Sequence, residues 1–142
     1  MEPSNLSARE DEALALINKG QYHEAEVIYR YLIKSGSKNF IVYGNLGALL
    51  KLKGDLKNAI WFLKKSLELS PSYPDGHNNL GIALKEQGQL IAAIDSYRKA
   101  LELKPDFPEA HHNLGLALQE KGDLHGAILS YECALKLKPI YP

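Results

Sequence analysis

The sequence repeats itself at a fixed interval of 34 residues, and this period restricts the fold more than any other feature. Glycine and alanine recur at that spacing in four copies, and an Asn-Leu-Gly triplet and a proline recur in three. The positions are Gly20, Gly54, Gly88 and Gly122; Ala25, Ala59, Ala93 and Ala127; Asn45, Asn79 and Asn113 with the two residues after each; and Pro71, Pro105 and Pro139. A period of this length indicates repeated supersecondary units that stack on their neighbours.

Each unit is predicted to contain two helices, because apolar residues recur at steps of three and four on both sides of the period glycine. In the third unit the pattern predicts a first helix from about Asp75 to Gln87, and Gly88 then supplies a left-handed residue that ends it. A second helix is predicted from Leu90 to Leu103, and Pro105 prevents its continuation. The unit is therefore a helical hairpin.

Small residues are placed where the two helices of this hairpin must approach each other. Gly81 in the first helix and Ala93 in the second leave room for close backbone contact, and the large side chain of Tyr97 is expected to fill the remaining gap.

Period, residue types and register together resemble the tetratricopeptide repeat, from about Leu6 to Tyr141. The resemblance implies an all-α fold, a right-handed α-solenoid of antiparallel helix hairpins. It divides the chain into an N-terminal tail at residues 1–5 and a repeat domain at 6–142. The implied repeats are about 6–39, 40–73, 74–107 and 108–141.

The two ends of the array differ. The first repeat departs most from the pattern, and Glu10, Asp11 and Glu12 are interpreted as a polar surface that caps the array and keeps it soluble. At the other end nothing polar follows the apolar stripe of Tyr131, Ala134 and Leu135, and Ile140-Tyr141-Pro142 repeats the passage into a new unit. We expect that the natural protein continues, or that self-association covers this end.

In tetratricopeptide arrays the first helix of each hairpin lines a concave groove, so the resemblance implies a peptide-binding surface on the first helices of repeats two to four. The predicted groove residues are Asn45, Ala48, Lys51, Asn78, Asn79, Ile82, Lys85, His112, Asn113, Leu116 and Gln119.

Asn45, Asn79 and Asn113 occupy the same register on successive first helices, and we refer to them as the asparagine ladder. An amide both donates and accepts hydrogen bonds, so a ladder of amides can hold a peptide backbone while reading little of its side-chain sequence. The arrangement is similar to the repeats of O-linked N-acetylglucosamine transferase, where inner asparagines hold substrate chains. Hydrogen bonds between neighbouring helices are the equally weighted structural alternative.

A resemblance to the chaperone-tail class of tetratricopeptide domains is not found. Those domains hold a terminal carboxylate with a clamp of lysines, asparagines and an arginine. Here Glu10 and Gly44 stand where cations of the clamp are expected, and Asn79 stands where the arginine is expected.

Other functions find no support in the composition. Seventeen basic and seventeen acidic residues leave no net charge to attract nucleic acid or an anionic membrane. No apolar stretch approaches the roughly 20 residues of a membrane span. The adjacent His111 and His112 do not form a zinc-binding pair, and we expect no metal, cofactor or enzymatic activity. The single cysteine, Cys133, favours a reducing cytoplasmic location.

We therefore predict a protein-protein interaction module that binds a peptide or protein segment in its concave groove. The alternative is the N-terminal substrate-recruiting segment of a larger enzyme, such as a glycosyltransferase. A third interpretation is a spacer that only self-associates through its uncapped C-terminal repeat.

Overall fold

The computed structural model describes residues 3 to 139, with side chains from residue 5 onward. Over that range the chain forms eight α-helices and no β-strand, as the sequence predicts. The helices are α1 (Pro3–Asn18), α2 (Tyr22–Lys34), α3 (Phe40–Lys53), α4 (Leu56–Leu69), α5 (Pro74–Glu86), α6 (Leu90–Leu103), α7 (Pro108–Lys121) and α8 (Leu124–Leu137).

The helices form two compact units, each made of two hairpins. Unit 1 spans Met1–Pro71 and contains α1 to α4, and unit 2 spans Ser72–Pro142 and contains α5 to α8. Consecutive helices pack as hairpins, α1 with α2, α3 with α4, α5 with α6 and α7 with α8. The single repeat domain expected for residues 6–142 stays a prediction.

The turn inside each hairpin is built on a period glycine. Gly88 has a φ of +89°, and the other three period glycines are also left-handed, a conformation that strains any residue with a Cβ atom. The Gly88 N–H donates to the Lys85 carbonyl at 2.9 Å, and the Gln89 N–H donates to the Leu84 carbonyl at 2.8 Å. These two bonds satisfy carbonyls that the helix end would otherwise leave open. The predicted role of the glycines is confirmed.

The hairpin of α5 and α6 is held together by the contact predicted from its small residues. A Cβ atom on Gly81 would lie 2.5 Å from Cε1 of Tyr97, so the Tyr97 ring lies directly on the α5 backbone. Tyr97 is 1% exposed and Ala93 is fully buried. This burial, together with the nearby carboxylates of Glu86 and Glu120, raises the pKa of the Tyr97 hydroxyl far above its ordinary value of 10.0.

Unit 1 has its own apolar core, which contains residues from all four of its helices. Its buried members are Ala13, Ala25, Tyr29, Leu32, Val42, Leu46, Leu49, Leu50 and Ala59. Leu63 takes the place that Tyr97 has in unit 2, and a Cβ atom on Gly47 would lie 2.7 Å from its Cγ.

The first repeat differs from its predicted boundaries. Helix α1 begins at Pro3, so the first helix extends into the segment expected to be a tail. Proline is favoured in the first turn of a helix, where its missing N–H is not needed. The 34-residue register does not predict this extension of the first helix. The predicted passage at Ile140-Tyr141-Pro142 lies outside the described residues.

The acidic cap of the first repeat is only partly a solvated surface. Asp11 and Glu12 are exposed, and Glu12 forms an ion pair with Arg9 at 2.9 Å. Glu10 is half-buried instead, because its carboxylate accepts a hydrogen bond of 3.0 Å from the Asn39 side chain. Asn39 is in turn the N-cap of α3, where its side chain accepts from the Ile41 N–H. Glu10 thus fixes the start of α3 and has a structural role.

No helix within residues 3–139 has both the length and the apolar character that crossing a membrane requires.

Candidate functional site

A cleft in unit 2 brings together several of the predicted groove residues. It has a volume of about 760 Å³ and lies between α5, α7 and α8. Its lining residues are Asn78, Ile82, Pro108, Glu109, His112, Asn113, Tyr131, Ala134, Leu135 and Lys138. Four of these, Asn78, Ile82, His112 and Asn113, were predicted from their positions on the first helices. A volume of this size is in the range of known ligand sites.

The cleft combines apolar walls with a few polar groups. Ile82, Ala134 and Leu135 provide apolar surface from α5 and α8. At the edge, the Lys138 ammonium lies 3.7 Å from the Glu109 carboxylate, and both side chains are exposed. An exposed ion pair of this kind contributes little to stability, so both charges are available to an incoming segment.

Two amides are joined inside this cleft. The Asn113 side chain donates a hydrogen bond of 3.1 Å to Oδ1 of Asn78, and the bond joins α7 to α5. Asn78 is 7% exposed although it was predicted as an open groove residue, because its oxygen serves as the acceptor for the next repeat. Asn78 is therefore a largely buried part of the cleft lining.

Tyr131 places an aromatic ring at the α8 side of the cleft. Its hydroxyl donates a hydrogen bond of 2.7 Å to Oε1 of Gln119, and the His112 ring lies 5.7 Å from its own, measured between centroids. The groove prediction considered first helices only, so it did not include any residue of α8. The apolar stripe of Tyr131, Ala134 and Leu135 was recognised in the sequence, but as an uncovered end and not as a wall of the same site.

The remaining predicted groove residues of unit 2 lie outside the cleft. Lys85 on α5 forms an ion pair of 3.6 Å with Glu120 on α7. Leu116 is exposed and Asn79 is half-buried. Gln119 is exposed and accepts the hydrogen bond from Tyr131.

The groove residues of unit 1 lie on α3, where Ala48 and Lys51 are half-buried. Asn45 donates a hydrogen bond of 3.0 Å to the hydroxyl of Tyr29. Burial raises the pKa of this hydroxyl, and the Asn45 hydrogen bond opposes the rise. Asn45 therefore joins the second helix of repeat one to the first helix of repeat two, as the structural alternative for the ladder expects.

A second, smaller cleft of about 420 Å³ in unit 1 contains none of the predicted groove residues. Its lining residues are Tyr22, His23, Glu26, Leu49, Leu52 and Lys53. Burial acts to raise the pKa of Glu26, but the hydrogen bond from Arg30 and the charge of Lys53 outweigh it, so the pKa lies below 4.5. Two lining residues of this cleft, Glu26 and Lys53, therefore belong to an ion-pair network with Arg30.

The residues considered for catalysis or metal binding have other surroundings. Nε2 of His111 lies 2.9 Å from the Pro105 carbonyl, to which it donates a hydrogen bond. Cys133 is exposed. Among residues 5–139, no three side chains of histidine, cysteine, aspartate or glutamate come together in a way that could hold a metal ion.

Family profiles match most of the chain. The profile described as TPR repeat matches residues 49–88 and 83–122, and the profile described as tetratricopeptide repeat matches residues 108–141. The first of these alone spans more than half of the 142 residues. The chain belongs to the tetratricopeptide repeat family. The recognition of this family from the period glycines and alanines is confirmed.

Solved tetratricopeptide structures have the same fold. A crystal structure of MamA is 23% identical with a TM-score of 0.88, and the match covers 96% of this chain and 80% of that one. MamA 41-end from Desulfovibrio magneticus RS-1 is 24% identical with a TM-score of 0.85, covering 94% and 75%. YrrB, described as a TPR protein with an unusual peptide-binding site, is 21% identical with a TM-score of 0.83, covering 99% and 72%.

At these identities the likeness establishes the fold alone, which is the predicted class of tetratricopeptide α-solenoid. No match to a curated protein sequence was found. A specific similarity to the repeats of O-linked N-acetylglucosamine transferase is not shown by these comparisons, and they do not favour the alternative of a recruiting segment of a larger enzyme.

Proposed function

We propose that this tetratricopeptide protein is an interaction module that binds a peptide or protein segment in the cleft between α5, α7 and α8. The observation that carries the proposal is the joining of predicted groove residues with the apolar wall of α8 around one cleft of about 760 Å³. Apolar walls with a few placed polar groups are typical of binding sites. We infer no catalytic activity of the chain's own, and Cys133 favours a reducing, cytoplasmic setting.

The lining defines the kind of segment that fits. Ile82, Ala134 and Leu135 require an apolar side chain, and burying it supplies most of the binding free energy. His112, Glu109 and Lys138 provide polar groups for the backbone or for polar neighbours of that side chain. With so few contacts we expect a dissociation constant in the micromolar range, which corresponds to a binding free energy of about −8 kcal/mol.

The asparagine ladder extends this proposal beyond the cleft. Asn79 lies next to Asn78 on α5, and its side-chain amide makes no hydrogen bond to another residue in the described part of the chain, so this amide can serve a bound backbone. This is the part of the ladder for which a role like that of the inner asparagines in O-linked N-acetylglucosamine transferase is proposed. Asn45 and Asn113 already bond to neighbouring helices.

The proposal is tested with peptides selected from a random display library on the wild-type protein. Their affinities are then measured for Ile82→Asp and for the control Ile91→Asp, an exposed residue of α6 outside the cleft. We expect at least a tenfold loss for Ile82→Asp and no loss for Ile91→Asp, with circular dichroism confirming that both variants fold. Equal affinity for the two variants would place binding elsewhere and contradict the proposal.

A further inference from the structure

Helix α4 exposes a tryptophan between two lysines, and we call these three residues the Trp61 face: Lys57, Trp61 and Lys64. They follow one another at steps of four and three residues, so they lie on one side of the helix, away from its buried residues. Trp61 is 57% exposed, and both lysines are exposed. Tryptophan is among the residues that most often dominate the binding energy of protein interfaces, so an exposed one marks a candidate contact.

The packing of the repeat does not account for this tryptophan. At intervals of 34 residues the same position holds Val27, Asp95 and Leu129, and all three are exposed. Because a valine, an aspartate and a leucine serve in the corresponding helices, the fold requires no aromatic side chain here. No other repeat has lysine at both flanking positions. The Trp61 face is therefore particular to repeat two.

The Trp61 ring is exposed but held in position. It meets the Phe62 ring edge to face, at 4.9 Å between centroids and an interplanar angle of 81°. Phe62 packs against the apolar core of unit 1, and the Arg30 guanidinium lies 5.8 Å from the centroid of its ring. A side chain whose orientation is fixed before binding loses little conformational entropy when a partner covers it. Trp61 is thus a preorganised contact.

The charges around Trp61 determine the chemistry of its partner. Neither Lys57 nor Lys64 forms an ion pair with another described residue. The one carboxylate within α4, that of Glu68, forms an ion pair of 3.3 Å with Lys65, and the N-cap carboxylate just before the helix is hydrogen-bonded to it. The Trp61 face is therefore locally positive, and charge complementarity favours an acidic partner.

We propose that the Trp61 face docks an acidic helical segment of a partner protein, with an apolar side chain on the Trp61 ring and a carboxylate at each lysine. Lys57 and Lys64 are seven residues apart, about 10 Å along the helix axis. An antiparallel partner helix matches them when two acidic residues seven positions apart flank an apolar residue three positions after the first. In an extended segment, two acidic residues that flank an apolar one on the same face lie about 14 Å apart, which matches less well.

A nucleic acid or an anionic membrane would need a more extended positive surface. Proteins that hold single strands use a basic groove and several aromatic side chains on which successive bases stack. Here a single indole lies between two lysines, and the chain has seventeen basic and seventeen acidic residues. The Trp61 face belongs to unit 1, so this binding site is a second one beside the cleft of unit 2.

The test uses the full chain and a helical peptide of alanine and glutamine that carries two glutamates seven residues apart, with a leucine three positions after the first. Because Trp61 is the only tryptophan of the chain and the peptide has none, its fluorescence reports binding directly. We expect a saturable shift of the emission to shorter wavelength as the ring leaves water. The same peptide with lysine in place of both glutamates should cause no shift.

Protein variants separate this face from the rest of the surface, with affinities measured by anisotropy of the fluorescein-labelled peptides. Trp61→Ala and the double variant Lys57→Glu, Lys64→Glu should each weaken binding of the glutamate peptide by at least about tenfold. The double variant should bind the lysine peptide instead. The matched control is Arg98→Glu, which reverses an exposed charge at the position of Lys64 in α6 and should change neither affinity. Circular dichroism confirms that the variants fold.

Several results would overturn this inference. They are an unchanged Trp61 emission, a loss of affinity in Arg98→Glu as large as in the double variant, and a lysine peptide that does not bind the double variant. Tighter binding of single-stranded DNA or anionic vesicles, lost in the double variant, would also overturn it. Failure here is distinguishable from failure of the proposed function, because Ile82→Asp should leave the affinity for the glutamate peptide unchanged.

Discussion

The side-chain amide of Asn113 donates a hydrogen bond to Oδ1 of Asn78 over 3.1 Å and so joins two successive first helices. Asn45, at the same register as Asn113, donates instead to the hydroxyl of Tyr29. Asn79, the middle member of the asparagine ladder, makes no such bond among the described residues. Identical residues at identical register therefore differ in their surroundings, and the structural and binding roles of the ladder can be separated by mutation.

Replacing Asn113 by alanine is expected to destabilise the protein by about 1 to 3 kcal/mol, because the Oδ1 acceptor of buried Asn78 loses its donor. Asn79→Ala is the matched control and should change the free energy of unfolding by less than about 0.5 kcal/mol. Urea unfolding followed by circular dichroism measures both. The same loss in the two variants would mean that the Asn78–Asn113 bond does not contribute to stability.

Asn79→Ala should weaken peptide binding although it hardly changes the stability of the fold. If its amide bonds to a bound backbone, removing it costs about 0.5 to 1.5 kcal/mol, which is a two- to twelvefold loss of affinity for peptides selected on the wild type. Isothermal titration calorimetry measures this loss. Unchanged affinity for every selected peptide would remove Asn79 from the binding surface and leave the ladder a purely structural feature.

Gly81→Ala should destabilise unit 2 by about 1 to 3 kcal/mol, because the added methyl group would lie 2.5 Å from the buried Tyr97 ring, which has no room to move. Gly126→Ala is the control, because it also introduces a close contact but with an exposed side chain. Its Cβ atom would lie 2.6 Å from a carboxylate oxygen of Asp123, and that exposed side chain can rotate away only by giving up its N-cap hydrogen bond from the Gly126 N–H, at a cost of about 1 kcal/mol. Alanine also favours the helix, so we expect Gly126→Ala to cost less than Gly81→Ala. Equal urea midpoints for the two variants would contradict the close α5–α6 packing.

Stability should fall in acid partly through Glu26. Its pKa in the folded protein lies below the ordinary value of 4.5, because hydrogen bonds from Arg30 and Lys53 and their charges outweigh the effect of burial. A lowered pKa gives a contribution to stability that is complete above pH 4.5 and is lost as the pH falls through the folded-state value. Between pH 7 and pH 3 the urea midpoint should fall less in Glu26→Gln than in the wild type. Parallel curves for the two proteins would show that the Arg30–Glu26–Lys53 network does not stabilise the fold.

Features that repeat were predictable from the sequence, and features that occur once were not. The left-handed turns follow from the period glycines, and the contact between Gly81 and Tyr97 follows from the pairing of a small and a large residue. The bond from Asn39 to Glu10 joins residues 29 positions apart that occur in one repeat only, so no pattern predicts it. The extension of α1 to Pro3 falls outside the 34-residue register for the same reason.

The site was predictable in part. Ile82, His112 and Asn113 were found because the family resemblance assigns the groove to first helices, and the cleft does contain them. Lys138 was missed, since the groove was assigned to first helices only and Lys138 follows the second helix α8. For the same reason the apolar stripe of Tyr131 and Leu135 was not predicted as a wall of the cleft, which it lines.

The most direct test of the central claim is to map a selected peptide onto the protein by two-dimensional NMR of the isotope-labelled 15.8 kDa chain. We predict that the largest chemical-shift changes on titration cluster at Ile82, His112, Asn113 and Tyr131, around the cleft of unit 2. Changes that centre on the exposed Trp61, with the cleft residues unaffected, would contradict the account and place binding on another surface.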